Sequence, residues 1–208
     1  MKFGELSIES FTEAVADRVS VPGGGAVAGV TLAQAAALGS MVLKFSRGKK
    51  TFAEHESRYD RIEPELERFR QEAIALADAD AAGFEKLAAL FPLAEDDPHR
   101  IAAWPEAVIA AIEPPRRIIT LAGEILAHCD ELTGRSSRML RSDLAIAARL
   151  AAVAADAAAW NVRMNLPAYG DLPGHEESAS TLAQATSDEI EACNQLATDI
   201  NQRCQSPT

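Results

Sequence analysis

The sequence predicts an all-α fold, a single-domain bundle of about six helices with long central ones, and three observations lead there. Alanine and leucine supply most of the apolar content, while aromatic residues make up only 5% of the chain; that composition favours closely approaching helices over sheets. Apolar positions recur at spacings of three and four over long stretches. Proline and glycine clusters fall mainly between those stretches, and no repeat or charged linker divides the chain. With 208 residues, 48% of them hydrophobic, one domain can bury its core without disulfides or a structural metal.

A short first helix is expected over 10–18, with Phe11, Ala14 and Val15 on one apolar face. The breaker Ser20-Val21-Pro22-Gly23-Gly24-Gly25 ends it. Residues 26–45 are apolar almost all round, as a helix enclosed by neighbours would be. A third helix is expected over 51–90, with Pro64 and Gly83 as places to bend and with Ile62, Leu66, Phe69, Ala73, Ala77, Phe84 and Leu87 facing the core. A fourth helical region spans 99–132, where Pro105 and Pro114-Pro115 should start, kink or split helices. A fifth runs from Ser142 to Leu166, just before Pro167, and a sixth over 176–202. Since 26–45 and 144–160 are apolar on more faces than a small monomer needs, a homodimer is expected.

The net charge of −11 disfavours attraction to nucleic acid or to an anionic membrane. The weakly charged stretch 19–43 is rich in glycine and alanine, which suits a buried helix better than a membrane span. Cys129, Cys193 and Cys204 are odd in number and lack Cys-x-x-Cys spacing. Together with an acidic start lacking a hydrophobic signal core, they lead us to expect reduced thiols in a cytoplasmic protein. His55, His99, His128 and His175 have no metal-ligand spacing, and no metal is expected.

Four groups of residues are candidates for chemistry. Gly23, Gly24 and Gly25 open a helix, where bare backbone amides can meet an anion or a carbonyl; a tight turn that allows close packing is the other reading. Asp80 falls on the apolar stripe of the third helix, while Asp78, roughly 200° away around the axis, points elsewhere. A carboxylate in such a place is costly to ionise, so its pKa should rise toward the range useful for proton transfer, unless a cation pairs with it. Asp143, Asn161 and Asn165 share one side of the fifth helix, and two carboxamides at i and i+4 can read an amide-like edge or serve as buried glue. Lys44, Arg47, Lys49 and Lys50 form a cationic cluster, suited to an anionic group or to a solvated helix end, and Arg135, Arg138 and Arg141 form another.

Pro22-Gly23-Gly24-Gly25, Ser40-Met41-Val42, Gly48-Lys49-Lys50, Asp78-Ala79-Asp80 with Phe84, Ser142-Asp143 and Asn161-Val162-Arg163-Met164-Asn165-Leu166 occur in an order and at separations that resemble the formimino-tetrahydrofolate cyclodeaminase and methenyl-tetrahydrofolate cyclohydrolase family. Family members usually carry Gly-Asn where this chain has Leu43-Lys44 and Gly134-Arg135, and a proline where it has Ser20. The resemblance implies a helical homodimer that binds a tetrahydrofolate derivative near its interface and needs no cofactor beyond that substrate. It implies an acid/base role for Asp80, a pocket shaped by Gly23, Gly24 and Gly25, an anionic glutamate tail facing Lys49 and Lys50, and a site lined or ordered by Asp143, Asn161 and Asn165. The implied reaction is cyclodeamination, with the cyclohydrolase reaction or a catalytically silent folate-binding protein as alternatives.

Overall fold

The computed structural model describes residues 2–205, and among them it contains α-helices and short 3-10 turns but no strand. The helices are α1 (Ile8–Ala16), α2 (Gly24–Ser46), α3 (Glu56–Ala88), α4 (Pro98–Leu132), α5 (Arg141–Gly170) and α6 (Glu176–Gln205). Each of α2, α3, α4 and α5 packs against the next, and α5 closes on α2, giving a four-helix bundle with α6 laid against α4 and α5. Neighbours run antiparallel: Gly25 of α2 abuts Asp80 of α3 while Gly39 abuts Leu66, and Asn165 of α5 reaches Ala111 of α4.

Local chemistry fixes the ends. Ser7 caps α1 by accepting the Ser10 amide at 3.0 Å, so that helix starts and stops about half a turn earlier than expected. Phe11 and Ala14 are half-buried, Phe11 lying edge-on to Phe3, whereas Val15 is 38% exposed. The third helix also starts later than expected, because Lys50–His55 winds as a 3-10 turn with Phe52 off the helical conformation. Arg47 then clamps the corner between α2 and α3 through Glu56, Asp60 and Glu63.

More than half of α2 is buried, against α3, α4 and α5. By length and composition alone, α2 and residues 138–170 are apolar enough to cross a membrane, yet about half or more of each apolar stretch is covered within the bundle. The α3 stripe is buried as expected except at Phe84, which is 40% exposed. Across α3 and α4, Arg117 donates to Glu72 at 2.6 Å, and the buried His128 lies 2.6 Å from Glu65 while stacking on Phe69.

The prolines do not split α4, which is continuous through Pro105, Pro114 and Pro115. Each proline instead releases the carbonyl four residues before it from the helical ladder. For Pro115 that carbonyl is Ala111 O, and it accepts Asn165 Nδ2 at 2.9 Å. For Pro114 it is Ala110 O, which lies so close to Gly83 that a Cβ there would sit 2.2 Å away; the glycine is what lets α3 and α4 touch. Helix α5 likewise runs past Pro167 to Gly170, since Pro167 lies in its last turn where only one backbone bond is forfeited.

One face remains uncovered. Ile146, Val153, Trp160 and Met164 recur at helical spacing along the outer side of α5, the last two 64% and 74% exposed, and Val27 and Phe45 are exposed on the adjoining α2.

Candidate functional site

A cavity of about 300 Å³ opens where the N-terminus of α2 meets the C-terminal half of α3 and the end of α5. Gly23, Gly24 and Gly25 form one wall, Asp80 and Phe84 a second, Asn161, Met164 and Asn165 a third, with Ser20, Val21 and Ala111 completing it. It is near the lower end of the size range typical of small-molecule pockets, enough for a flat bicyclic head group.

Asp80 is the chemical centre. Among the described residues its carboxyl has no hydrogen-bond or ion-pair partner, and burial alone pushes its pKa up to about 6. A Cβ built on Gly25 would lie 2.1–2.3 Å from the carboxyl atoms, so the acid occupies space that only a glycine leaves open. Helix α2 has no side-chain cap and no acidic residue in its first turn, so its N-terminal amides present a positive pole that makes the ionised form tolerable. Asp78 does point elsewhere: it accepts the Phe3 amide at 2.8 Å and anchors the Phe3–Glu5 turn.

The two asparagines are not equivalent. Asn165 spends its Nδ2 on Ala111 O, which leaves its Oδ1 to act as an acceptor. Asn161 Nδ2 is shielded from solvent and, among the described residues, has no partner. Such a donor lacks about 1–3 kcal/mol of compensation until a ligand supplies an acceptor. The α5 wall of the cavity thus offers one donor and one acceptor a helical turn apart, the pair of groups that a lactam edge can satisfy.

The structure brings together Gly23, Gly24, Gly25, Asp80, Asn161 and Asn165. Within one chain, Lys49, Lys50 and Asp143 are not among them. Lys49 and Lys50 follow the far end of α2, roughly 30 Å from Gly25 by helical rise. There Lys49 Nζ contacts Ser137 Oγ at 3.4 Å and Lys50 begins the 3-10 turn, while Asp143 sits in the first turn of α5. Sequence reasoning missed Ser20, Val21, Ala111 and Met164 as walls of the cavity; for Ala111 the signal was present in Pro115, which frees its carbonyl.

The family model described as formiminotransferase-cyclodeaminase matches residues 7–204. A formimidoyltransferase-cyclodeaminase of Gallus gallus is 29% identical over 161 residues, covering 76% of this chain but only 30% of that protein. This chain therefore spans about a third of the length of such relatives. A methenyltetrahydrofolate cyclohydrolase of Methylorubrum extorquens is 26% identical, with 86% of this chain and 88% of that protein covered. The solved structure of a formiminotetrahydrofolate cyclodeaminase from Thermotoga maritima superposes with a TM-score of 0.84 at 28% identity, covering 96% of this chain and 97% of that one. With the match running nearly end to end, the chain belongs to the formiminotransferase-cyclodeaminase family.

Proposed function

We propose that the protein is a formimino-tetrahydrofolate cyclodeaminase, and the observation that carries the reading is the unpartnered Asp80 carboxyl with a pKa of about 6 in a pterin-sized cavity. In the reaction, N10 of 5-formimino-tetrahydrofolate attacks the formimino carbon, forming the N10–C bond. The C–N bond to the amino group then breaks, ammonia leaves, and 5,10-methenyl-tetrahydrofolate remains. Asp80 takes the N10 proton and supplies one to the departing amine, which needs a carboxyl that populates both states near neutrality. Asn161 Nδ2 and Asn165 Oδ1 hold the lactam edge of the pterin, and the amides of Gly24 and Gly25 approach its other side. The reaction so written requires only the tetrahydrofolate derivative.

The length match to the Methylorubrum extorquens protein supports a second reading, in which the same carboxyl activates water against the methenyl carbon and 10-formyl-tetrahydrofolate is released. Supplying 5-formimino- and 5,10-methenyl-tetrahydrofolate separately, and following methenyl absorbance, separates the two. A rise with the first substrate supports the deaminase, a fall with the second alone supports the hydrolase, and no change with either sinks both.

The partner in this reading is a second copy. The exposed row Ile146, Val153, Trp160 and Met164 on α5, beside Val27 and Phe45 on α2, is the surface that a two-fold axis would cover. If the axis crosses the helices, the two α5 helices run antiparallel. The Asp80 cavity of one copy then faces the Lys49–Lys50 end of the other, and those lysines meet the glutamate tail. Val153→Glu is expected to halve the mass seen in sedimentation and to raise KM while helix content is kept. A wild-type monomer, or a Val153→Glu monomer with unaltered KM, would refute this assembly.

A further inference from the structure

We propose that the Asp80 cavity selects the one-carbon unit of its ligand by charge, taking an amidinium cation and turning away a neutral formyl group of the same shape. The inference rests on the pterin reading above, which sets the one-carbon unit against Asp80. Among the described residues lining the cavity, Asp80 is the only charged one. The rest present glycine or alanine, apolar side chains, one hydroxyl and two carboxamides. No titratable side chain of the other helices lines it with Asp80: α2 contributes Gly24 and Gly25, α4 contributes Ala111, and α5 contributes Asn161, Met164 and Asn165.

An unpaired carboxylate in a water-poor cavity is satisfied better by a cation than by any neutral group. The N-terminal pole of α2 opposes this, but it amounts to about half a positive charge, spread over several amides, against a full negative one. The cavity therefore remains negative. A protonated formimino group is such a cation, and its N–H donors suit carboxylate oxygens, which only accept. The methenyl bridge of the alternative reaction carries its positive charge in the same N–C–N unit, so the selection does not depend on which reaction is run. A formyl group has oxygen in place of that nitrogen. It is neutral, offers no N–H, and sets an acceptor against an acceptor.

Acid weakens the preference. With a pKa of about 6, Asp80 is mostly ionised at pH 7.5 and mostly protonated at pH 5. The protonated carboxyl no longer balances a cation, and it gains an O–H to donate to a formyl oxygen. An amidinium ligand should thus lose affinity on acidification while its formyl counterpart gains.

The test uses two inert fragments, 5-formimino- and 5-formyl-6-methyltetrahydropterin, which lack N10 and so cannot cyclise. They differ in a single group, a protonated imine against an oxygen. Isothermal titration of the full chain at pH 7.5 should show the formimino fragment bound about tenfold tighter or more, the worth of a hydrogen bond to a charged group. At pH 5 the gap should narrow, and Asp80→Asn, whose amide can donate to the formyl oxygen, should abolish it at either pH. Equal affinities at pH 7.5, or a preference that survives either acidification or Asp80→Asn undiminished, would overturn the charge selection and yet leave the pterin cavity standing, since both fragments would still bind. Binding of neither fragment would remove the pterin reading along with it.

Discussion

Asp80→Asn is expected to abolish turnover and, at the same time, to stabilise the protein above pH 6. The first effect follows from removing the proton-transfer group, worth on the order of 10²–10⁴ in rate. The second follows from where that group titrates. In the unfolded chain an aspartate titrates near 3.9, whereas here burial raises it to about 6. Between those values the native state binds more protons than the unfolded one, so stability falls as pH climbs through the window and the full penalty is present at neutrality. A shift of this size corresponds to about 2–3 kcal/mol at most, and a neutral amide of the same shape relieves it. Thermal melts of wild type and variant should therefore nearly coincide at pH 4 and separate by several degrees at pH 8. The wild-type pH–rate profile should bend near 6 and any residual activity of the variant should not. Asp78→Asn is the control, since its amide oxygen can still accept the Phe3 amide; equal losses at positions 78 and 80 would contradict the assignment.

Gly25→Ala should give an inactive but well-folded protein. The new methyl would fall 2.1 Å from an Asp80 oxygen, and the carboxyl must swing away to admit it. The three nearest atoms all belong to that carboxyl, and Gly25 lies in the first turn of α2 without a left-handed backbone, so alanine suits the helix itself. Displacing a catalytic group by an ångström costs on the order of 10²-fold in rate. A loss of kcat of that size, with unchanged or raised denaturation midpoint, is the expected result. Adding Gly25→Ala to Asp80→Asn should cost little more, because both remove the same function. Gly24→Ala is the counterpart, for its Cβ would meet nothing within 4 Å. If Gly25→Ala retained full turnover, Asp80 would not act from the position described.

The helices and the buried acid were legible in the sequence because both are questions of angle around an axis. Ile62, Leu66, Phe69, Ala73 and Ala77 mark the inward face of α3, and Asp80 continues it. Position along the axis was less legible. Asp143 and Asn161 do share a side of α5, but eighteen residues at 1.5 Å each separate them by roughly 27 Å. For the same reason Lys49 and Lys50 lie a full helix length from Gly25. Pro105 and Pro114-Pro115 looked like breaks in α4, yet the packing of α3 and α5 on either side holds the helix together across them. The half-exposed Phe84 was read as core because a helical stripe does not announce where a cavity interrupts it.

The double proline in α4 shows how backbone, without any reacting side chain, can decide what a site recognises. By withholding one N–H, Pro115 turns Ala111 into a fixed anchor for a carboxamide, and the anchored amide has only one way to face. A designer who regularised α4 by replacing that imino acid would improve the helix as a helix and restore a competitor for the same carbonyl. Asn165 would then be free to flip, exchanging acceptor for donor at the wall of the cavity, and the pattern that distinguishes one heterocycle edge from another would blur.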